Sequence, residues 1–253
     1  MDAEEPYELP QLNLRVVLAL NALNPQLWQQ LWGSGHLLAA LLDRCSQDED
    51  FGMRDAQVLE LGAGMALASL VAARSARSVV ATDASEDAVN LALRNAEMNG
   101  VESLSAKVLD FHGAVQDDPV DLVLGSDILF IGQNVPKVAM AIHRLLKPGG
   151  LALVTDPCRP CALTFEDELL SCGLLVNVLE GEQLEFAPGC VQKKALLYVI
   201  WKPGEDGNAE APGASRSVGA RWQELTAELH VDKQIAMDGF AYVDKGHAAR
   251  EGS

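Results

Sequence analysis

The chain is poor in basic residues: 19 lysines and arginines stand against 36 aspartates and glutamates, giving a formal net charge of −17 at pH 7. A surface of this sign repels phosphate backbones, which argues against a nucleic-acid partner. An acidic surface favours a basic protein or peptide as substrate. The alternative is that the acidity only keeps the protein soluble. Nothing in the sequence indicates a permanent partner, so we expect a monomer.

Other absences concern location and cofactor. No apolar run is long enough to cross a bilayer, and the acidic residues 1–6 resemble neither a secretory nor a transit signal. Five cysteines, an odd number, do not predict a disulfide framework. We therefore expect a cytoplasmic protein without a membrane partner, with the nucleus as the alternative. No cluster of metal ligands stands out, so no metal is expected.

Aromatic residues make up only 5% of the chain, so leucine, valine and alanine must fill most of the core. From residue 57 onward, short apolar runs alternate with helical stretches, which predicts a doubly wound α/β fold with helices on both faces of a mostly parallel sheet. The last two strands follow each other without a strong helix between them, so an antiparallel last strand is expected. The predicted strands cover residues 57–61, 78–82, 104–109, 120–125, 151–155, 174–179 and 195–201, and the predicted helices cover residues 65–74, 85–99, 134–146 and 164–172.

The two ends of the chain differ from this pattern. Residues 1–46 are predicted to be a helical segment packing on the catalytic domain of residues 47–203, and residues 204–253 to be a linker and tail. The N-terminal helices are placed at residues 11–22, 25–32 and 36–44, the last capped by Ser34. Near the C-terminus, residues 202–219 are rich in glycine, proline, alanine and acids, which is typical of a linker. Residues 221–229 could form an amphipathic helix that docks on the domain or binds a partner.

The most informative stretch is VLELGAGMA at residues 58–66, which predicts a strand, a glycine turn and a helix start. Gly62 and Gly64 lack a Cβ where the backbone must turn and where a ligand would lie against it. Asp83 follows Gly64 by 19 residues, at the end of the next strand, where an acid accepts hydrogen bonds from ribose hydroxyls. The third glycine of a dinucleotide fingerprint is replaced by Leu67. The loop therefore favours a nucleoside without a pyrophosphate, such as S-adenosyl-L-methionine, with Glu60 near its methionine amino group.

Over about residues 32–201 the sequence resembles the class I, seven-β-strand methyltransferases with a Rossmann-like fold. It is most similar to their methyltransferase-16 group, which contains many protein-lysine methyltransferases. The matching segments are Trp32 ahead of LAALL at residues 38–42, ELGAG at 60–64, LDF at 109–111, SDILF at 126–130 and DPCRP at 156–160, where Cys158 replaces a glycine.

The resemblance implies S-adenosyl-L-methionine as cofactor and assigns a role to each matched position. Asp127 and Phe130 would be catalytic and face the substrate. Trp32 would flank the cofactor, Asp83 would hold its ribose, and Asp110 with Phe111 would approach its adenine. The full set implied for the cofactor is Trp32, Glu60, Gly62, Ala63, Gly64, Asp83, Asp110, Phe111 and Ser126.

Methyl transfer requires alignment of a nucleophile with a sulfonium and exclusion of water. For a lysine nucleophile, Asp127 would orient the amine, and Phe130 would line its methylene stem and offer cation–π attraction. The alternatives are that Asp127 is only a loop acid and Phe130 only a core residue. Two other functions stay open: a small-molecule N-methyltransferase, and a non-catalytic cofactor-binding module. The pair Cys158 and Cys161 is interpreted as small loop residues, because one such pair cannot complete a zinc site.

Overall fold

A seven-stranded sheet forms the centre of the computed structural model, which describes residues 7–16, 31–113, 115–187, 190–205, 207 and 209–231. A separate antiparallel hairpin precedes it, made of β1 (Tyr7–Leu9) and β2 (Leu14–Val16). The strands of the sheet are β3 (Gln57–Leu61), β4 (Ser78–Asp83), β5 (Leu104–Val108), β6 (Val120–Ser126), β7 (Leu146–Asp156), β8 (Leu175–Ala187) and β9 (Cys190–Trp201).

The strand order is β5-β4-β3-β6-β7-β9-β8, and neighbours are parallel except that β9 is antiparallel to both β7 and β8. The chain enters the sheet at β3, moves outward to β5, and then returns to pair β6 with the other side of β3. This reversal opens a crevice at the carboxyl ends of β3 and β6, where open α/β sheets bind their ligands. The predicted fold class is confirmed, including the antiparallel strand formed by the last segment of the sheet.

Helices cover both faces of the sheet and define two hydrophobic layers. The side chains of β6 show the division, because Leu122 and Leu124 point into one layer and Val123 into the other, all of them buried. Burial on both faces explains why the strands are continuously apolar. The first layer holds α1 (Gly33–Cys45), α2 (Leu67–Ala72), α3 (Glu86–Met98) and α6 (Gly213–Leu229), and the second holds α4 (Val135–Leu145) and α5 (Phe165–Ser171).

The ends of α3 follow from local chemistry and were predicted correctly. The Ser85 hydroxyl accepts a hydrogen bond from the Ala88 N–H over 3.4 Å, which caps the first turn. Asn99 is the C-cap residue, and Gly100 then adopts a φ of +63°, the left-handed conformation that ends many helices.

The N-terminal helix predictions need correction. Where a helix was predicted from residue 11, the chain forms a 3-10 turn at Pro10–Leu12 and then β2. Asn13 adopts a left-handed φ of +48°, which reverses the chain into the hairpin. Most of the helix predicted at residues 25–32 lies outside the described residues, but Trp32 is extended. Ser34 is not a cap, because α1 begins at Gly33 with Trp32 in the cap position.

The C-terminal linker prediction was wrong over residues 213–219, because α6 begins at Gly213. This helix packs on the domain: the Trp222 Nε1–H donates to the Glu180 carbonyl over 3.1 Å, and the Ser217 hydroxyl donates to Asp48 over 2.7 Å. Trp222 and Leu225 are buried, as the amphipathic pattern predicted. No helix within the described ranges combines the length and apolarity needed to cross a membrane.

Candidate active site

A cavity of about 740 Å³ lies at the carboxyl ends of β3, β4 and β6, at the point where the strand order reverses. Ten of the predicted site residues line it, from both the cofactor and the substrate sets. These are Trp32, Glu60, Gly62, Ala63, Gly64, Asp83, Phe111, Ser126, Asp127 and Phe130.

The glycine loop after β3 is tied to the end of β4 by two hydrogen bonds that its backbone N–H groups donate. The Ala63 N–H donates to the Thr82 carbonyl over 2.8 Å, and the Gly64 N–H donates to Asp83 Oδ2 over 3.0 Å. On the other side, the Ser85 N–H donates to Asp83 Oδ1 over 3.0 Å. Each carboxylate oxygen keeps a further lone pair, so Asp83 can still accept two hydroxyl donors from a diol.

Gly62 is required for two separate reasons. Its φ of +61° lies in the left-handed region, which is costly for residues with a Cβ. A Cβ built on Gly62 would lie only 2.8 Å from Ile128 Cγ2. The glycine loop therefore passes directly against Ile128, the residue that follows Asp127. The loop after β3 and the loop after β6 thus contact each other at one wall of the cavity.

Glu60 is a buried carboxyl on the cavity wall. It accepts hydrogen bonds from the Ser69 N–H over 2.9 Å and from the Ser69 hydroxyl, at the start of the helix that follows the glycine loop. Desolvation by burial is the main cause that raises the pKa of Glu60 to about 7, in spite of these two donors.

Asp110 does not line the cavity, in contrast to the predicted contact with adenine. Its exposed carboxylate accepts a hydrogen bond from the His112 N–H over 2.9 Å and contacts His112 Nδ1 at 2.7 Å. His112 lines the cavity instead, with its ring centroid 4.6 Å from that of Phe111. Asp110 thus holds the loop that presents Phe111 and His112 to the cavity.

Asp127 follows β6 with a left-handed φ of +57°, and its N–H donates to the Thr155 carbonyl over 3.0 Å. Its Oδ1 accepts a hydrogen bond from Arg159 Nη2 over 2.7 Å. Its Oδ2 is buried and has no hydrogen-bond partner of normal geometry within the described residues. Burial raises the pKa of Asp127 to about 6, while Arg159 acts in the opposite direction.

Arg159 is the polar residue of the site that sequence reasoning missed. Its Nη1 donates to Asp156 Oδ2 over 2.8 Å, so its guanidinium bridges Asp127 and Asp156. The signal was present in the DPCRP segment, which was interpreted only as a family resemblance. Cys158 in that segment adopts a φ of +66°, which explains why glycine is usual there.

Phe130 lines the cavity and is also 42% exposed, so it is not a plain core residue. Other lining residues that were not predicted are mostly apolar or small and belong to the same loops. They are Leu31, Gly35, Met65, Leu67, Ala68, Ala84, Ser85 and Ile128.

A glycine loop at the switch point of a doubly wound sheet, facing an acid at the end of the next strand, defines a nucleoside-binding domain. The sequence profile described as "Methyltransferase domain" matches residues 53–202, and the chain belongs to this family. Family and fold together imply S-adenosylmethionine as methyl donor. The two left-handed glycines, the oriented Asp83 carboxylate and the size of the cavity fit such a nucleoside.

Several curated proteins are similar to this chain over part of their length. A calmodulin-lysine N-methyltransferase of Arabidopsis thaliana is 33% identical over 155 residues, which cover 56% of this chain and 50% of the relative. A ribosomal protein L11 methyltransferase of Listeria monocytogenes is 26% identical over 50% of this chain and 40% of its own length. A histone-arginine methyltransferase of Xenopus laevis is 26% identical over 38% of this chain and 43% of its own length. The chain thus spans about half or less of each of these relatives.

Solved structures support the fold alone. A putative RNA methyltransferase of Pyrococcus horikoshii superposes with a TM-score of 0.56 at 16% identity, covering 72% of this chain and 91% of that one. The [4+2]-cyclase SpnF superposes with a TM-score of 0.53 at 16% identity, covering 67% of this chain and 81% of that one. Since one of these two proteins is a cyclase, the shared fold does not by itself identify the reaction or the methyl acceptor of this chain.

Proposed function

We propose that this protein is an S-adenosylmethionine-dependent protein-lysine N-methyltransferase. The observation that carries the proposal is the Asp127 carboxyl at the cavity wall: Oδ1 is bonded to Arg159, and within the described residues no hydrogen bond of normal geometry reaches the buried Oδ2. A buried acceptor of this kind is costly unless a donor pairs with it. The N–H of an incoming amine is such a donor.

The charges around Asp127 favour an amine over an anionic acceptor. Asp127 and Asp156 together carry two negative charges when ionised, and Arg159 carries one positive charge. Both ends of the guanidinium are already paired with these carboxylates, so an acceptor carboxylate or phosphate would meet a net negative wall. A lysine that enters this desolvated region loses its proton more readily than in water.

Within this arrangement the role of each side chain follows from its position. The Asp127 carboxylate accepts an N–H of the neutral amine and orients the nitrogen lone pair toward the methyl carbon. The nitrogen–carbon bond forms as the sulfur–carbon bond breaks, and the methylated nitrogen becomes positively charged. Asp127 then stabilises that charge until a proton leaves the nitrogen. S-adenosylmethionine supplies the methyl group as a sulfonium, with its ribose held by Asp83.

A protein acceptor is supported by the rim of the cavity. Phe130 is 42% exposed, and its neighbour Ile131 is 44% exposed, so apolar surface continues from the cavity to solvent. The aromatic ring can pack along the methylene stem of a lysine and attract its cationic end. The similar curated proteins are named as methyltransferases of calmodulin lysine, ribosomal protein L11 and histone arginine, which also supports a protein acceptor.

The proposal is tested by incubating the full chain with S-adenosylmethionine labelled in its methyl group and an extract of cells in which methylation was blocked. We expect labelled protein bands that yield labelled methyl-lysine after acid hydrolysis. Asp127→Asn removes the negative charge with little change in shape, and we expect transfer to fall by about 100-fold or more. Its cofactor affinity, measured by calorimetry, should stay within about threefold.

Three results would redirect the proposal. Label in the small-molecule fraction with none in protein would identify a small-molecule N-methyltransferase. Cofactor binding without any transfer would identify a non-catalytic module. Labelled methyl-arginine in place of methyl-lysine would reject the lysine acceptor while keeping a protein substrate.

A further inference from the structure

We infer that Arg159 is the positioning residue of this site: it fixes the orientation of the Asp127 carboxyl at the cavity wall, and Asp156 anchors Arg159. The inference builds on the proposed role of Asp127. The clamp formed by Arg159, Asp127 and Asp156 can nevertheless be tested without any methyl acceptor.

The geometry of the clamp uses both ends of the guanidinium. Arg159 Nη2 lies 2.7 Å from Asp127 Oδ1, and Arg159 Nη1 lies 2.8 Å from Asp156 Oδ2. The Arg159 backbone N–H also donates to Asp156 Oδ1 over 2.7 Å, so Asp156 holds both the main chain and the side chain of Arg159. Because the guanidinium is planar and rigid, fixing one end fixes the direction of the other.

All three side chains are shielded from water, with exposed fractions of 13% for Arg159, 10% for Asp127 and 0% for Asp156. Charge-assisted hydrogen bonds in such surroundings are strong, and loss of one partner leaves an uncompensated charge. Surface salt bridges have no comparable effect, since water and salt screen them. The buried position therefore gives Arg159 control over the state of Asp127.

The clamp also controls the charge of Asp127. Asp127 is influenced by the Arg159 guanidinium and the Asp156 carboxyl from the segment after β7, and by the Ser34 hydroxyl from α1. Burial and Asp156 raise the pKa of Asp127, whereas Arg159 and Ser34 lower it. Without Arg159 two buried carboxylates would face each other with no cation, a situation in which one carboxyl normally keeps its proton. A protonated Asp127 would lose the charge that stabilises the methylated amine.

Lysine cannot replace arginine in this role. An ammonium is a compact point charge and does not present two donors at a fixed separation to two carboxylates. Arg159→Lys should therefore preserve the ionisation of Asp127 better than its orientation, which separates the two effects of the clamp.

The decisive experiment is a titration of the full-length protein with ¹³C-labelled aspartate carboxyl groups, followed by NMR, with Asp127→Asn used to assign the Asp127 resonance. We expect Arg159→Gln to move the midpoint of Asp127 upward by at least about one pH unit. We expect Asp156→Asn to move the same midpoint downward, because it removes the carboxylate that opposes ionisation. Shifts of opposite sign would show that both charges act directly on the Asp127 carboxyl. Arg144→Gln, which alters an exposed arginine on α4, is the matched control and should leave the midpoint unchanged.

Kinetics provide the second readout. The acid limb of the pH profile for methyl transfer should shift upward in Arg159→Gln, so that activity falls about twofold or more at pH 7 and is partly restored near pH 9. Cofactor affinity should stay within about threefold. Arg159→Lys should keep the wild-type acid limb but show a lower plateau.

An unchanged Asp127 midpoint in Arg159→Gln would overturn the inference. Should that variant fail to fold, Asp156→Asn decides alone: an unchanged midpoint would overturn the inference, whereas a rise would show that Asp156 anchors Arg159 beside Asp127. Because the titration needs no acceptor, its outcome is independent of the lysine assignment. Full methyl transfer by Asp127→Asn would disprove the role proposed for Asp127 in catalysis. The inference about Arg159 would still be decided by the titration.

Discussion

The backbone N–H of Gly64 donates a hydrogen bond to Oδ2 of Asp83 over 3.0 Å, which joins the glycine loop directly to the predicted ribose acid. The Ser85 N–H holds the other carboxylate oxygen. The carboxylate is therefore oriented before a ligand arrives, and little side-chain ordering remains to oppose binding. Two features that were 19 residues apart in the sequence act as one element of the site.

We expect Asp83→Ala to weaken the binding of S-adenosylmethionine by about 30- to 1000-fold. The variant removes the charged acceptor of two hydrogen bonds that the ribose hydroxyls donate, which together contribute about 2–4 kcal/mol. Calorimetric titration of the folded variant measures the effect. Asp87→Ala, which removes an exposed carboxylate in the first turn of α3, is the control and should bind normally. Equal affinities for the two variants would exclude Asp83 as the ribose acid.

We expect Gly62→Ala to lower the free energy of unfolding by about 2–4 kcal/mol, from backbone strain together with overpacking. Gly52 offers a matched control, because its φ of +68° is similar but a Cβ there would meet nothing within 4 Å. Gly52→Ala should lower the free energy of unfolding by the backbone strain alone, which is about 1 kcal/mol. Urea denaturation of both variants separates the two contributions. Equal losses would show that the contact with Ile128 relaxes without cost.

Local signals explain what could be predicted from the sequence. The strand, glycine turn and helix at residues 57–72, the Ser85 cap and the Asn99 end of α3 depend on neighbours in the chain, and all of them were found. Buried strands are continuously apolar whatever their partners, so the sheet was also predictable.

What was missed depends on long-range contacts. Arg159 reaches Asp127 across 32 residues, and the DPCRP segment by itself does not show which distant acid its arginine contacts. The hairpin at Tyr7–Val16 was predicted to be helical from residue 11, although it is held to α3 by Arg15 and Asn99, which are 84 residues apart. The start of α6 at Gly213 was assigned to a linker, because tertiary packing overrides the low helix propensity of its first turns.

We expect Glu60 to make the stability of the protein depend on pH. Burial raises its pKa from 4.5 to about 7, so the folded protein binds this proton more tightly than the unfolded chain does. The corresponding stability is fully present below pH 4.5 and is lost as the pH rises through 7. Between pH 5.5 and pH 8, deprotonation of Glu60 lowers the free energy of unfolding by about 2 kcal/mol.

Comparison with Glu60→Gln isolates this contribution. Glutamine keeps an oxygen that can accept the hydrogen bonds from Ser69 but has no proton to lose. Urea denaturation of both proteins at pH 5.5 and pH 8 should therefore show that the wild type loses about 2 kcal/mol more than the variant. Parallel losses in the two proteins would mean that Glu60 titrates near its ordinary value.

We expect Trp222→Ala to destabilise the whole domain by about 3–5 kcal/mol, because Trp222 is 1% exposed and packs within the layer that also holds α1 and α2. Its Nε1–H anchors α6 to the Glu180 carbonyl of β8. Gln223→Ala changes the exposed neighbour on the same helix and should stay within about 0.5 kcal/mol of wild type. Urea denaturation followed by circular dichroism measures both. A single transition shifted to lower urea in Trp222→Ala would establish α6 as part of the cooperative fold. An unfolding midpoint equal to that of wild type would instead show that α6 rests on the domain without contributing to its stability. The residues that line the cavity would then be held in place independently of the C-terminal helix.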